Sequence, residues 1–327
     1  MVADDVGPVT GPEHLTGSTG GVGRAPDLTG DPGRHQRERA MHIVFFAAAA
    51  MSLVVSIMIV VALLSNGWEF LSNVAWSTVF TETWNPRQDS FSISTLLVGS
   101  LVVTGVAMVV AGPLGLGAAI YLSEYASPRF RSVLKPILEV LAGIPSVVLG
   151  FFALTWIAPE VVGRFFGEEH GRTGSMLAAG IGVGILTIPL MASVSEDAMR
   201  AVPGSLREAS AGLGAHRRST TVRVVLPAAI SGIVAALILA ISRAVGETMV
   251  VFIAGGAADS GSLALDPREG SLTMTAAMAS LATGTDRVRG SGLAVASLYF
   301  VGIVLFFTTL LLNVVADRFV RRVRQAY

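Results

Sequence analysis

Six long apolar runs, at about 42–64, 94–121, 134–157, 174–194, 228–254 and 292–315, alternate with shorter polar intervals along the 327-residue chain. Each run can supply the roughly 20 residues that an α-helix needs to cross a bilayer. The pattern therefore predicts an all-α membrane protein with six transmembrane helices. Residues 1–40 have a different character: Gly, Pro, Asp and Thr dominate, and large apolar side chains are almost absent. Such a stretch cannot offset chain entropy by burial, so it reads as a disordered cytosolic tail ahead of a membrane domain over 41–327. The first apolar run starts near Met41, after Arg34, Arg37 and Arg39. That is too far along for a cleaved signal peptide and predicts an uncleaved anchor.

Two polar intervals carry patterns of their own. Ser205 to Pro227 reads SLREASAGLGAHRRSTTVRVVLP. Ser205 and Glu208 have capping-box spacing, which predicts a short helix starting there. Gly212 and Gly214 then offer positions that end it, and a second helical segment follows through Thr220 and Val224. The expected result is a helix, a glycine elbow and a helix outside the membrane. The interval 255–291 is long and rich in Gly, Ser and Asp. Its middle, Ser271 to Thr283, is too short to span and predicts a re-entrant or interfacial helix at the outer mouth. Pro113 and Pro145 are expected to interrupt the second and third helices. The glycines around them serve either close helix packing or the exposure of backbone groups to a translocation path.

Composition and charge narrow the class. The chain is 52% hydrophobic and only 14% charged, with a mean hydropathy of +0.66, as expected for an integral membrane protein. Lys+Arg and Asp+Glu both number 23, so only the distribution of charge informs. With the N-terminus inside, sixteen basic residues fall on inner segments and six on outer ones, which predicts cytosolic termini and a cytosolic elbow. Trp68, Trp76 and Trp84 in the first outer loop suit interfacial anchors or ligand-stacking groups. Cysteine is absent, and the five histidines are scattered without metal-ligand spacing, which argues against thiolate, disulfide and metalloenzyme chemistry. The only lysine, Lys135, is preceded by Ser132, Val133 and Leu134, so the chain has no Walker A sequence of its own.

Charges inside an apolar run need a reason. Arg243 lies fifteen residues after Ala228, roughly 22 Å along a helix axis, and Glu247 lies one turn beyond it. Each costs about 2.5–3.5 kcal/mol to insert. One reading is a self-neutralising i,i+4 pair, in the less favourable Arg-before-Glu order. The other is an oxyanion site, in which the Arg243 guanidinium binds a tetrahedral anion bidentately while Glu247 holds Arg243 or accepts a proton or hydrogen bond. The two charges sum to zero, so a divalent anion calls for a second cation, most simply an Arg from a partner helix.

The elbow carries a resemblance. Glu208, Ala209 and Ser210, then Gly214, then Val224, Val225, Leu226 and Pro227 are similar to the EAA loop of ABC importer permeases, with Ser210 and Val224 replacing the usual Ala and Ile. Over roughly 90–315 the chain resembles the phosphate importer permeases of the PstC type, through PLGLGAAIYLSEYA from Pro113, LKPILEVLAGIPSVVLGF from Leu134, VPGSLREASAGLGA from Val202 and RAVGETMVV from Arg243. The resemblance implies a type I ABC importer permease fold with its core over 93–315 and a cytosolic coupling loop over 203–227. It implies that Glu208, Ala209, Gly214, Leu226 and Pro227 couple the chain to an ATPase, and that Arg243 and Glu247 line the substrate pathway. It further implies a second permease subunit, two ATP-binding cassette ATPases, an extracytoplasmic phosphate-binding protein, inorganic phosphate as substrate, the bacterial cytoplasmic membrane as location, no cofactor and no enzymatic activity of the chain itself. A permease for another solute, or a membrane signalling or scaffold protein, would share much of this pattern. A neighbouring reading frame with Walker A and ABC signatures would separate these alternatives.

Overall fold

The computed structural model describes residues 32–80, 83–256, 262–284 and 292–324. Residues 1–31 of the expected tail lie outside the described residues, and the first helix, Pro32–Asn73, begins within the stretch assigned to that tail. Proline suits the first turn of a helix, and the residues after it include good helix formers. By backbone contacts the chain forms two units, Met1–Met58 and Ile59–Tyr327. In the first, the described residues are helical throughout.

Six helices have the length and hydropathy to cross a membrane: Glu38–Asn73, Ile93–Tyr125, Ser146–Phe166, Met176–Arg200, Arg217–Val245 and Leu293–Val315. The number and approximate places match the apolar runs, with three changes. The run at 134–157 is not one span. Pro128–Ala142 is a separate helix with no buried residue; the chain turns at Gly143 and Ile144, and the third span starts at Ser146. Proline disfavours a helical conformation at the residue before it, so Pro145 divides the run. Pro113, by contrast, lies inside the unbroken helix Ile93–Ile120, and its interruption does not occur. The fifth span ends at Val245, ahead of the expected limit at 254, and the chain resumes as the short helix Met249–Ala254.

Within the unit from Ile59 onward, the second and fourth spans form the centre. The fourth is the most buried, with 61% of its apolar window inside the protein. Gly180 and Gly184, one turn apart, let it approach the second span. A Cβ added at Gly180 would lie 2.6 Å from Val106 Cβ, and one at Gly184 would lie 2.9 Å from Val110 Cβ. Small residues spaced by four give one helix face a groove, and van der Waals packing replaces the hydrophobic effect as the attraction between spans.

One end of this unit is closed by loops. Trp84–Asn85 pairs antiparallel with Ser90–Phe91, and Thr83 bridges to Ser262. Trp68 and Trp76 are exposed, but Trp84 is 4% exposed and packs edge-on against Phe91 at 6.0 Å. Trp84 is therefore a core residue of the loop layer, contrary to both roles expected of it. Ser271–Thr283 contains the short helix Met274–Thr283, with Thr273 as its N-cap. Its first turn is buried, and the Met274 N–H donates to Ser100 Oγ at 3.0 Å, so it enters the bundle rather than lying over it.

Candidate translocation site

The fifth span stops where its charges lie. Gly246, a poor helix residue, sits at φ −85°, ψ −3°, and caps Val245. Glu247 and Thr248 leave the regular ladder before Met249 restarts it. The freed Glu247 carbonyl accepts a hydrogen bond from Thr275 Oγ1 at 2.8 Å. Irregular backbone at membrane depth persists only where protein or a water-filled cavity satisfies it, and here the inserted Met274–Thr283 helix does so.

This break separates the two charges that the sequence places one turn apart. Glu247 is 7% exposed, in the layer with Thr275. Arg243 is exposed and lines a cavity of about 350 Å³ together with Lys135, Glu139, Leu186, Pro189, Leu190, Ser193 and Glu196. Among the described residues the Arg243 guanidinium makes no ion pair, with Glu247 or with any other carboxylate. The self-neutralising pair is thus absent, and an unpaired guanidinium faces an open space between the fourth and fifth spans and the helix Pro128–Ala142.

That last helix was hidden in the expected third span. Ser127 caps it, accepting from the Phe130 N–H at 3.3 Å, and Pro128 occupies its first turn. Phe130, Val133, Ile137 and Val140 form an exposed apolar stripe. Arg131, Lys135 and Glu139 recur at i,i+4 on another face, towards the fourth span. This inverts a soluble amphipathic helix, as expected where the outer solvent is lipid. On the fourth span, Glu196 is wholly buried. Its Oε1 is bound by Arg131 Nη2, while Lys135 Nζ lies 3.5 Å from its Oε2 and 3.3 Å from Asp197 Oδ1. Burial pushes the Arg131 guanidinium below its ordinary pKa, nearby Arg200 acts in the same direction, and Asp197 opposes them. The sequence marked the charges within apolar runs, but Glu196 lies beyond the expected limit of the fourth run; only its spacing from Arg131 and Lys135 in three dimensions reveals it.

The elbow has the expected parts with one local difference. The helix Gly204–Gly212 begins beyond Pro203 without a side-chain cap. Ser205 already lies in its first turn, so Ser205 and Glu208 form no capping box. Gly214 turns the chain at φ +78°, a conformation costly for residues with a Cβ, whereas Gly212 stays helical. Arg217 to Val245 then runs as one helical stretch. Ser210, one of the two departures from the EAA pattern, pairs hydroxyl to hydroxyl with Thr220 at 2.9 Å across the elbow. Glu208, Ala209 and Gly214 are exposed, and Leu226 and Pro227 are partly buried at the entry to the fifth span. Arg207 ties the elbow to the bundle, donating to Glu124 Oε1 at 2.9 Å and to the carbonyls of Met199 and Val202 at 2.8 and 2.7 Å.

Residues 111–326 match the family model of the binding-protein-dependent transport system inner membrane component. The chain belongs to this family. The permease is 30% identical over 300 residues to the phosphate transport system permease protein PstC of Mesorhizobium japonicum, covering 86% of this chain and 89% of that one. It is 33% identical over 284 residues to PstC 1 of Mycobacterium tuberculosis, covering 79% and 83%. Among solved structures it resembles a bacterial alginate ABC transporter, with a TM-score of 0.63 at 14% identity over 88% of this chain and 96% of that one. The inward-facing MetNI methionine ABC transporter gives 0.51 at 21% identity, over 71% and 94%. At these identities the likeness establishes the fold, that of ABC importer permeases. The permease is a multi-pass inner-membrane transport subunit.

Proposed function

We propose that this permease is the PstC-type subunit of an ATP-driven inorganic phosphate importer and forms half of the translocation pathway. The observation that carries the reading is the Arg243 guanidinium, unpaired among the described residues and facing the cavity beside the break in the fifth span. A planar fork of N–H donors suits a tetrahedral oxyanion, and the relatives named PstC extend over most of the chain at 30–33% identity. Glu247, buried just beyond Gly246, adjusts the site by its charge.

In this reading the N- and C-termini and the elbow are cytosolic, as the distribution of arginines implies. A second, PstA-like permease completes the pathway, two PstB-like ATPases dock on the elbows, and a PstS-like binding protein delivers phosphate from outside. The helix Gly204–Gly212 has no buried residue, and Leu206 and Leu213 are exposed on this segment, which leaves it free to enter a groove on an ATPase. Glu208 and Ala209 contribute to that docking face, Gly214 sets its angle, and Leu226 and Pro227 pass its movement into the span that ends at Arg243.

The test is uptake of radiolabelled phosphate by the complete importer in vesicles. Arg243→Ala is expected to abolish uptake while the complex still assembles. Normal uptake by that variant would remove the anion-site reading.

A further inference from the structure

Lys135 has no part in the elbow, and it lines the same cavity as Arg243. It also lines a second cavity of about 560 Å³, bounded by Arg131, Glu139 and Arg200 on the side of the coupling elbow. Lys135 and Glu139 are thus the charged residues shared by the two spaces.

The pairing around Lys135 leaves its charge available. Its side chain is 31% exposed, and its nearest partner, Asp197, is 63% exposed; such pairs contribute little and exchange readily with other anions. Glu196 is different. It is wholly buried and held through Oε1 by Arg131, but its Oε2 accepts no hydrogen bond. Arg131 and Lys135 both face the one Glu196 carboxyl, with Lys135 Nζ 3.5 Å from Oε2; two cations against that one buried group leave the ammonium of Lys135 only partly offset where it faces the cavity. Glu139, one turn further along the helix, is the opposing carboxylate; no ion pair joins it to Lys135 among the described residues.

We propose that Lys135 is a second binding residue for the transported oxyanion, receiving it from Arg243 and passing it towards the cavity bounded by Arg131 and Arg200. This rests on the Arg243 reading above. It supplies within this chain the second cation that a divalent anion requires, which the sequence suggested would come from a partner helix. A compact ammonium with three rotatable donors suits a transient station, because it binds as a point charge without the bidentate geometry of a guanidinium.

The experiment uses the complete importer in vesicles and measures radiolabelled phosphate uptake across a concentration series. Lys135→Met is expected to lower the maximal rate by about tenfold or more, the scale of one lost charge-assisted contact. Lys135→Arg should restore most of it. Asp197→Asn, which removes the loose pair but keeps the charge of Lys135, should stay within about twofold of the parent. Equal losses in Lys135→Met and Asp197→Asn, or a lowered thermal unfolding midpoint in Lys135→Met to match its lost uptake, would assign Lys135 to its pairs with Asp197 and Glu196 and overturn the proposal. So would unchanged uptake in Lys135→Met alongside abolished uptake in Arg243→Ala, leaving the Arg243 reading intact. Normal uptake in Arg243→Ala would remove both.

Discussion

Glu196 lies inside the bundle with no exposed surface, and Arg131 and Lys135 hold it in place. Arg131→Ala removes the hydrogen bond to Oε1 and leaves Lys135 as the remaining cation beside Oε2, so it should destabilise the purified permease by about 2 kcal/mol, the scale of one lost hydrogen bond to a charged group, read as a fall in its thermal unfolding midpoint. Asp266 shows the opposite, exposed case. Its carboxylate accepts from Arg268 Nε at 2.9 Å and from the Arg268 N–H at 3.0 Å, and these bonds hold its pKa down to about 2. The Pro267 and Glu269 carbonyls in the same turn accept from the Leu177 and Met176 N–H groups at the start of the fourth span. Because the folded pKa is depressed, the pair stabilises above the ordinary carboxylate value and is lost as pH falls towards about 2. The difference in unfolding midpoint between the parent and Asp266→Asn should therefore stay constant from about pH 8 to about pH 5 and close only below the ordinary value of 3.8. Closure near neutral pH would show that another group controls the turn. The sequence marked Arg243 as costly and therefore purposeful, but it paired Arg243 with Glu247 by spacing alone. That spacing holds only in an unbroken helix, and Gly246 breaks it.

At the scale of elements, the elbow joins local and long-range determinants. Gly214 meets nothing within 4 Å where a Cβ would stand, so its requirement is backbone conformation and not space. Gly214→Asn should consequently retain more coupled ATP hydrolysis than Gly214→Val, since Asn tolerates a left-handed backbone and a β-branched residue does not. Equal losses would point to a contact with the ATPase surface instead. The Gly180 and Gly184 face has the reverse requirement. Both are buried helical positions against Val106 and Val110, and a side chain there must push two spans apart. The existence and order of the six spans were legible from apolar run length. The division of the third run was only half legible: Pro145 signalled a break, but the apolar run on both sides concealed that Pro128–Ala142 would leave the bundle, lie with its charged face inward and line the site.

At the scale of the molecule, the proposed sidedness rests on the arginine distribution and can be tested directly, because the chain contains no cysteine. Leu213 in the elbow is 89% exposed and Leu265 in the opposite loop layer is 74% exposed. A single Leu265→Cys should react with an impermeant thiol reagent on intact cells, and Leu213→Cys only after the membrane is opened. The reverse pattern would invert the proposed topology and place the elbow out of reach of a cytosolic ATPase.

By itself the sequence determined the membrane class, the six spans, the glycine elbow and the presence of costly charges at Arg243 and Glu247. These depend on run length, local backbone preference and transfer cost, which act over a few neighbouring residues. Only the tertiary structure decided which charges meet. Arg243 shares a cavity with Lys135 and not an ion pair with Glu247, Glu196 is balanced from a helix more than sixty positions earlier, and Trp84 is buried within its loop ribbon. The physical reason is that desolvation and ion pairing depend on distances between helices, and those distances are set by close packing at faces such as Gly180 and Gly184, which no local pattern specifies.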